Sequence, residues 1–157
     1  MTLFLLNVLL ALAWTALTGE LTATNMVIGF LLGYGTLWMA RRADAPSGYF
    51  KKARQVIKFA FFFLWELLKA NLRVTYDILT PRHRMRPAII AVPLDAKTDM
   101  EISFLANLIT LTPGTLSLEV SNDRRVLFIH AMYVTDADQF RRDIKRGLEQ
   151  RLLEVLR

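Results

Sequence analysis

TLFLLNVLLALAWTALTGELTATNMVIGFLLGYGTLWMA, residues 2–40, contains a single charged side chain, Glu20. Two apolar runs, 2–17 and 26–40, flank Thr18-Gly19-Glu20-Leu21-Thr22-Ala23-Thr24-Asn25. Glycine and threonines there suit a helix end, a tight turn and a new N-cap. The pattern predicts a two-helix transmembrane hairpin over residues 1–40. Each helix of about 16 residues is roughly 24 Å long, short against a hydrocarbon core of about 30 Å. Local thinning, or cover by neighbouring subunits, absorbs the mismatch. Ala11-Leu12-Ala13 has the small-x-small look of a signal-peptide cleavage site. However, no Lys or Arg precedes the apolar run and a second run follows at once, so a retained anchor is expected.

Gly29-Phe30-Leu31-Leu32-Gly33 is a GxxxG pattern, which lets another helix approach the backbone closely. Gly29 and Gly33 are therefore candidate packing or interface positions. Asn7 is a polar group at membrane depth and needs a hydrogen-bond partner from a facing helix or the backbone.

Outward from the hairpin, charge is distributed unevenly. Residues 41–55 carry Arg41, Arg42, Lys51, Lys52 and Arg54 against Asp44, and Arg82, Arg84 and Arg86 form a second basic cluster. From residue 88 onward nine basic residues face ten acidic ones, so the net charge of +6 lies near the membrane segment. A nucleic-acid partner would need a basic face on the folded module. The pattern instead favours anionic lipid headgroups. Cysteine is absent, and the two histidines, His83 and His130, lack ligand-type spacing. No metal site, cofactor or thiol chemistry is expected.

Residues 56–79 show a helical pattern within a basic linker and amphipathic segment, 41–86. Glu66, Lys69, Arg73 and Asp77 share one face, and Ile57, Phe61, Leu64, Trp65, Leu68, Leu72, Tyr76 and Leu79 the other. This is either a third span or a helix lying in the interface. The positive-inside rule favours the second, because a span would place the two basic clusters on opposite sides of the membrane. The clusters and the C-terminal domain are then cytoplasmic. Glu66 is the one acid expected near the membrane core. It reads as a possible ion-path residue or as the partner of Lys69.

Residues 87–157 read as a small two-layer α+β domain in the order β-α-β-β-α. Ala88 to Val92 form a buried strand. Thr98-x-x-Glu101 is a capping box, opening a helix that Pro113-Gly114 ends. Leu116, Leu118 and Val120 alternate with polar residues as the buried face of a strand. Residues 125–134 are a further strand in a mixed sheet. Thr135 caps a last helix with the stripe Phe140, Ile144, Leu148, Leu152 and Val155. Ser117, His130 and the Asp residues make no placed triad. The carboxylates read as a solvated face. Thr112-Pro113-Gly114-Thr115 has no following Lys and is a helix stop and turn, not a phosphate loop.

Three stretches carry a resemblance: the two short apolar helices, the basic amphipathic stretch Phe61-Phe62-Phe63-Leu64-Trp65-Glu66-Leu67-Leu68-Lys69-Ala70-Asn71, and Leu108-Ile109-Thr110-Leu111-Thr112-Pro113-Gly114-Thr115. The sequence resembles the E subunit of the Mrp-type (Mnh or Pha) multisubunit cation/proton antiporters of bacteria, over nearly its whole length. That resemblance implies a non-catalytic companion in the cytoplasmic membrane, working with larger hydrophobic subunits that exchange sodium or potassium for protons. It also implies a structural or interface role for Thr112, Pro113 and Gly114. A membrane-anchored enzyme and a tethered adaptor or sensor are the other classes considered. The first lacks a visible reactive constellation, and the second shares every bulk feature.

Overall fold

The structure is a computed structural model that describes residues 2–40, 48–80 and 85–157. The basic residues at 41, 42, 82 and 84, with Asp44 and His83, lie outside the described residues. The chain divides into two compact units, Met1–Arg54 and Gln55–Arg157.

In the first unit, α1 (Thr2–Thr18) and α2 (Ala23–Ala40) pack as a hairpin. Gly19 takes φ +73° at the end of α1, where a side chain would be strained. The Thr22 hydroxyl accepts from Asn25 N at 3.2 Å and caps α2. α2 is long and apolar enough to cross a membrane, and α1 supplies a shorter apolar stretch, Leu3–Thr18. The third helix, α3 (Gly48–Leu79), begins at Gly48 rather than at position 56. The apolar periodicity starts late, but Tyr49 and Phe50 extend the helix by setting their rings tilted and edge-on against Tyr34, with centroids 5.9 and 5.1 Å apart. Lys51, Lys52, Ala53 and Arg54, which follow, are good helix formers, and the aromatic contacts anchor the first turn.

The second unit holds the remainder of α3 and the α+β domain. Its order is β1 (Ala88–Pro93), α4 (Asp99–Leu111), β2 (Thr115–Val120), β3 (Val126–Ala131), then α5 (Ala137–Arg142), a π-helical segment (Asp143–Glu149) and α6 (Gln150–Leu156). The sheet order is β1-β3-β2 with both pairings antiparallel, so the expected mixed sheet is corrected to an antiparallel one. The core gathers Ile90, Val92, Leu105, Ile109, Leu127, Ile129, Leu148 and Leu152, with Phe59, Phe62 and Phe63 of α3 packed against it.

Several local expectations are corrected. β1 is buried on one face only: Ile90 and Val92 point in, while Ile89 is 65% exposed. The first half of β2 faces the opposite way from its hydrophobic pattern, with Leu116 and Leu118 outward, while Val120 packs against the core as expected. The hydroxyls of the alternating polar residues bond back to α4. Thr115 Oγ1 donates to Ile109 O at 2.6 Å and Ser117 Oγ to Ala106 O at 3.0 Å, so the hydroxyls turn toward the helix. A bulge between Ser117 and Glu119 follows. The last helix is capped by Asp136 rather than Thr135, its carboxylate accepting from Asp138 N and Gln139 N at 2.8 and 3.3 Å. A charged acceptor suits the positive end of a helix better than a hydroxyl. The capping box at Thr98 and Glu101 forms as expected.

Two carboxylates are not on a solvated face. Glu149 is 1% exposed and accepts from Asp95 N and Ala96 N at 2.6 and 2.9 Å, with Lys145 Nζ at 3.1 Å. Glu101 is also buried and is gripped by Arg157 Nε at 2.9 Å. Burial pulls the Lys145 ammonium down, but the hydrogen bonds it donates to Asp95 and Glu149 outweigh that and raise it. The wider turn of the π segment, where Gln150 N donates to Lys145 O, brings Leu148 and Glu149 inward together.

Candidate functional site

Helix α4 ends where Thr112 Oγ1 donates to Leu108 O at 3.0 Å. Thr115 N then donates to Thr112 O at 3.1 Å, closing a four-residue turn. Pro113 sets the first central dihedral and Gly114, at φ +89°, the second, the arrangement of a type II turn. A Cβ on Gly114 would meet the Tyr133 ring at 3.1 Å. Glycine is thus required twice over, by conformation and by close approach.

This turn forms one lip of a groove of about 800 Å³ between α3 and the domain. Glu66, Lys69 and Arg73 line the α3 wall, and Arg142, Asp143 and Arg146 the opposite one. Thr112, Pro113, Gly114 and Glu66, far apart in sequence, therefore share one groove. Glu66 is held by Lys69 Nζ at 2.7 Å. Gly29 and Gly33 lie apart from the groove, inside the hairpin. A Cβ on Gly29 would meet Trp14 Cβ at 2.8 Å and the Ala11 backbone at 3.0 Å, and a Cβ on Gly33 would overlap the Asn7 side chain. The small-residue stripe is thus occupied by the chain's own α1.

Sequence reasoning missed a second polar cluster beside the groove. Asp77 is buried and accepts from the Tyr133 hydroxyl, and the Arg73 guanidinium sits 5.6 Å from the Tyr133 ring centre. Burial, then the Asp77 carboxylate, raise the phenol above its usual range. The three-or-four spacing of Glu66, Lys69, Arg73 and Asp77 was the available signal. What it could not show is that this face meets Tyr133 rather than water. In the hairpin, Asn7 is fully buried and its Nδ2 donates to Tyr49 Oη at 2.9 Å, a partner outside the two apolar runs.

Chemically, the arrangement clamps elements together. Ser117 and His130 stand on opposite faces of the sheet, since His130 pairs in register with Leu116, so they cannot act as a couple. Among the described residues no three His, Asp or Glu side chains converge as a metal set.

Known proteins share this architecture. A family model described as "Na+/H+ ion antiporter subunit" matches residues 7–155. The chain is similar to the E subunit of the Na(+)/H(+) antiporter of Bacillus subtilis (strain 168), 40% identical over 98% of this chain and 97% of the relative. Among solved structures it resembles a chain of the Mrp complex from Dietzia sp. DQ12-45-1b, with 27% identity, TM-score 0.51, and 65% and 96% of the two chains covered. It also resembles a chain of the membrane-bound sulfane sulfur reductase, an archaeal respiratory membrane complex, with 27% identity, TM-score 0.59 and 98% of each chain covered.

Proposed function

The chain belongs to the Na+/H+ antiporter subunit family, and from that premise we propose that it is a companion subunit of a multisubunit monovalent cation/proton antiporter in the bacterial cytoplasmic membrane. It supports exchange by larger hydrophobic subunits and performs no catalysis itself. One observation carries the reading. Three polar side chains of the hairpin turn inward or onto its own backbone. Asn7 binds Tyr49, Thr15 Oγ1 donates to Leu12 O at 2.8 Å, and Thr36 Oγ1 donates to Gly33 O at 2.9 Å. Such a hairpin offers no polar lane for an ion and presents apolar side chains outward, to lipid or to other subunits.

The remaining parts have defined places in this reading. α1 and α2 span the membrane. Beyond them α3 lies in the interface, because one flank is packed against the domain while Ile57, Phe61, Leu64, Trp65, Leu68 and Leu72 are exposed along the other. The C-terminal domain is cytoplasmic, and the basic residues face anionic lipids. The turn at Thr112, Pro113 and Gly114 shapes a contact surface. The open face of the sheet, with Leu116 and Leu118 at 44% and 47% exposure, offers a second contact surface for other subunits.

The test has two arms. The purified chain in liposomes is expected to show no cation/proton exchange. Deleting it from the complex is expected to cripple exchange and to sensitise cells to sodium at alkaline pH. Exchange by the isolated chain would overturn the companion role and bring Glu66 forward. Full exchange without the chain would favour a tethered adaptor.

A further inference from the structure

Several basic side chains of the second unit have a carboxylate partner. Lys69 is held by Glu66, Arg124 by Asp99, Arg141 by Asp138, Lys145 by Asp95 and Glu149, and Arg157 by Glu101. Lys58, Arg146 and Arg151 do not: among the described residues none of the three forms an ion pair. They nevertheless converge. A cleft of about 390 Å³ between α3 and the last helix is lined by all three, with Phe59 at its side. The acid that lines it, Glu154, accepts from Gln150 Nε2 at 3.4 Å. Three like charges around one cleft repel each other, and an anion placed between them removes that cost.

The cleft is built rather than incidental. The Arg151 guanidinium carbon sits 4.0 Å over the centre of the Phe62 ring, a cation–π contact that holds it beside α3. Gly147 lies opposite Phe62, where a Cβ would stand 4.0 Å from the ring, so nothing larger separates the last helix from α3 at that level. Arg146 and Gly147 both belong to the π-helical segment.

Its position on α3 says what the anion is attached to. Lys58 precedes Phe61 and Trp65 by three and seven residues, so it borders the exposed apolar stripe. A polar, cationic cleft next to an apolar ridge matches the layout of a phospholipid, with headgroup in the cleft and chains along the ridge. A free phosphate would have no use for the ridge. We propose that the cleft ringed by Lys58, Arg146 and Arg151 seats the headgroup phosphate of an anionic phospholipid and so ties the C-terminal domain to the bilayer surface. The proposal rests on α3 lying in the interface.

The test uses the full chain in phosphatidylcholine bilayers, with Trp14→Phe and Trp38→Phe leaving Trp65 as the reporter. Phosphatidylglycerol or phosphatidylcholine brominated on the chains is added at equal mole fraction, and Trp65 quenching gives relative association. Each basic residue at a membrane surface is worth about a five-fold preference for the anionic lipid. Phosphatidylglycerol should therefore associate at least about five-fold more strongly, and Lys58→Gln/Arg146→Gln/Arg151→Gln should bring the ratio close to one. A variant that removes equal charge elsewhere, Lys51→Gln/Lys52→Gln/Arg54→Gln, should keep most of the preference. Equal quenching by both lipids in the parent chain would overturn the site and leave the interfacial helix standing. No quenching by either lipid would overturn the interfacial helix itself. Loss of the preference in the control variant would assign it to bulk charge. Loss on adding millimolar inorganic phosphate would assign the cleft to a soluble anion. Either result would reject the proposal.

Discussion

Replacing Gly29 by Ala tests whether the hairpin is held by close backbone approach. The new Cβ would stand 2.8 Å from Trp14 Cβ and 3.0 Å from both Ala11 Cα and Ala11 O, against an ordinary contact of 3.4 Å or more. Backbone atoms cannot rotate away, so α1 and α2 must part by about half an ångström, and a dense interface does not yield freely to that. Overpacking of this kind costs about 1–3 kcal/mol. Gly33→Ala adds a second effect. The new Cβ overlaps the Asn7 side chain, which must swing away and release Tyr49, a further ~0.6–2 kcal/mol for a polar contact between membrane helices. Gly35 supplies the control: a Cβ there meets nothing within 4 Å, and Ala is the better helix former by up to about 1 kcal/mol. The assay is unfolding of the detergent-solubilised chain by titration with a denaturing detergent, followed by circular dichroism. The expected order of stability is Gly35→Ala at or above the parent, then Gly29→Ala, then Gly33→Ala. If Gly29→Ala unfolds at the same detergent fraction as Gly35→Ala, the close approach is not what holds the helices, and the reasoning fails.

Two further outcomes follow from the domain. The hydrogen bond from Arg157, followed by that from Lys97 N, holds the Glu101 carboxyl down to about 2. Its folded value lies below its unfolded one, so its stabilising effect is complete above roughly pH 5 and fades as the pH falls toward 2. The gap in Tm between the parent and Glu101→Gln should therefore be constant above about pH 5 and close on acidification; a gap that widens would reverse the sign and refute the assignment. At the Thr112-Pro113-Gly114 turn, Gly114→Ala should destabilise the domain by about 1–3 kcal/mol, since it places a side chain at positive φ against Tyr133; thermal unfolding followed by circular dichroism measures the loss. Thr112→Trp should lower antiport in the assembled complex while the chain still inserts; normal transport would reduce the turn to a helix stop.

Sequence alone determined the parts of this protein that depend on local rules. Two uncharged apolar runs broken by Thr18, Gly19 and Glu20 specified a hairpin, because a helix ends where glycine and capping residues interrupt it. A Thr and a Glu three apart specified the start of α4, and Pro followed by Gly specified the turn after it, because caps and turns are closed by neighbours in the chain. The turn geometry of Thr112, Pro113 and Gly114 was legible for the same reason. Tertiary structure decided everything that depends on which surface meets which. The alternation of β2 predicts an inward face of Leu116 and Leu118. Thr115 and Ser117 instead turn their hydroxyls toward α4 and bond to its carbonyls, which leaves the two leucines outward. Glu149 looks like a solvated helix charge, yet two backbone amides of the loop after β1 draw it inside. The C-terminal domain is neutral when counted along the chain. Folding brings Arg146 and Arg151 beside Lys58 of α3, three cations to the single carboxylate of Glu154, because electrostatic interactions fall with distance in space and take no account of distance in sequence.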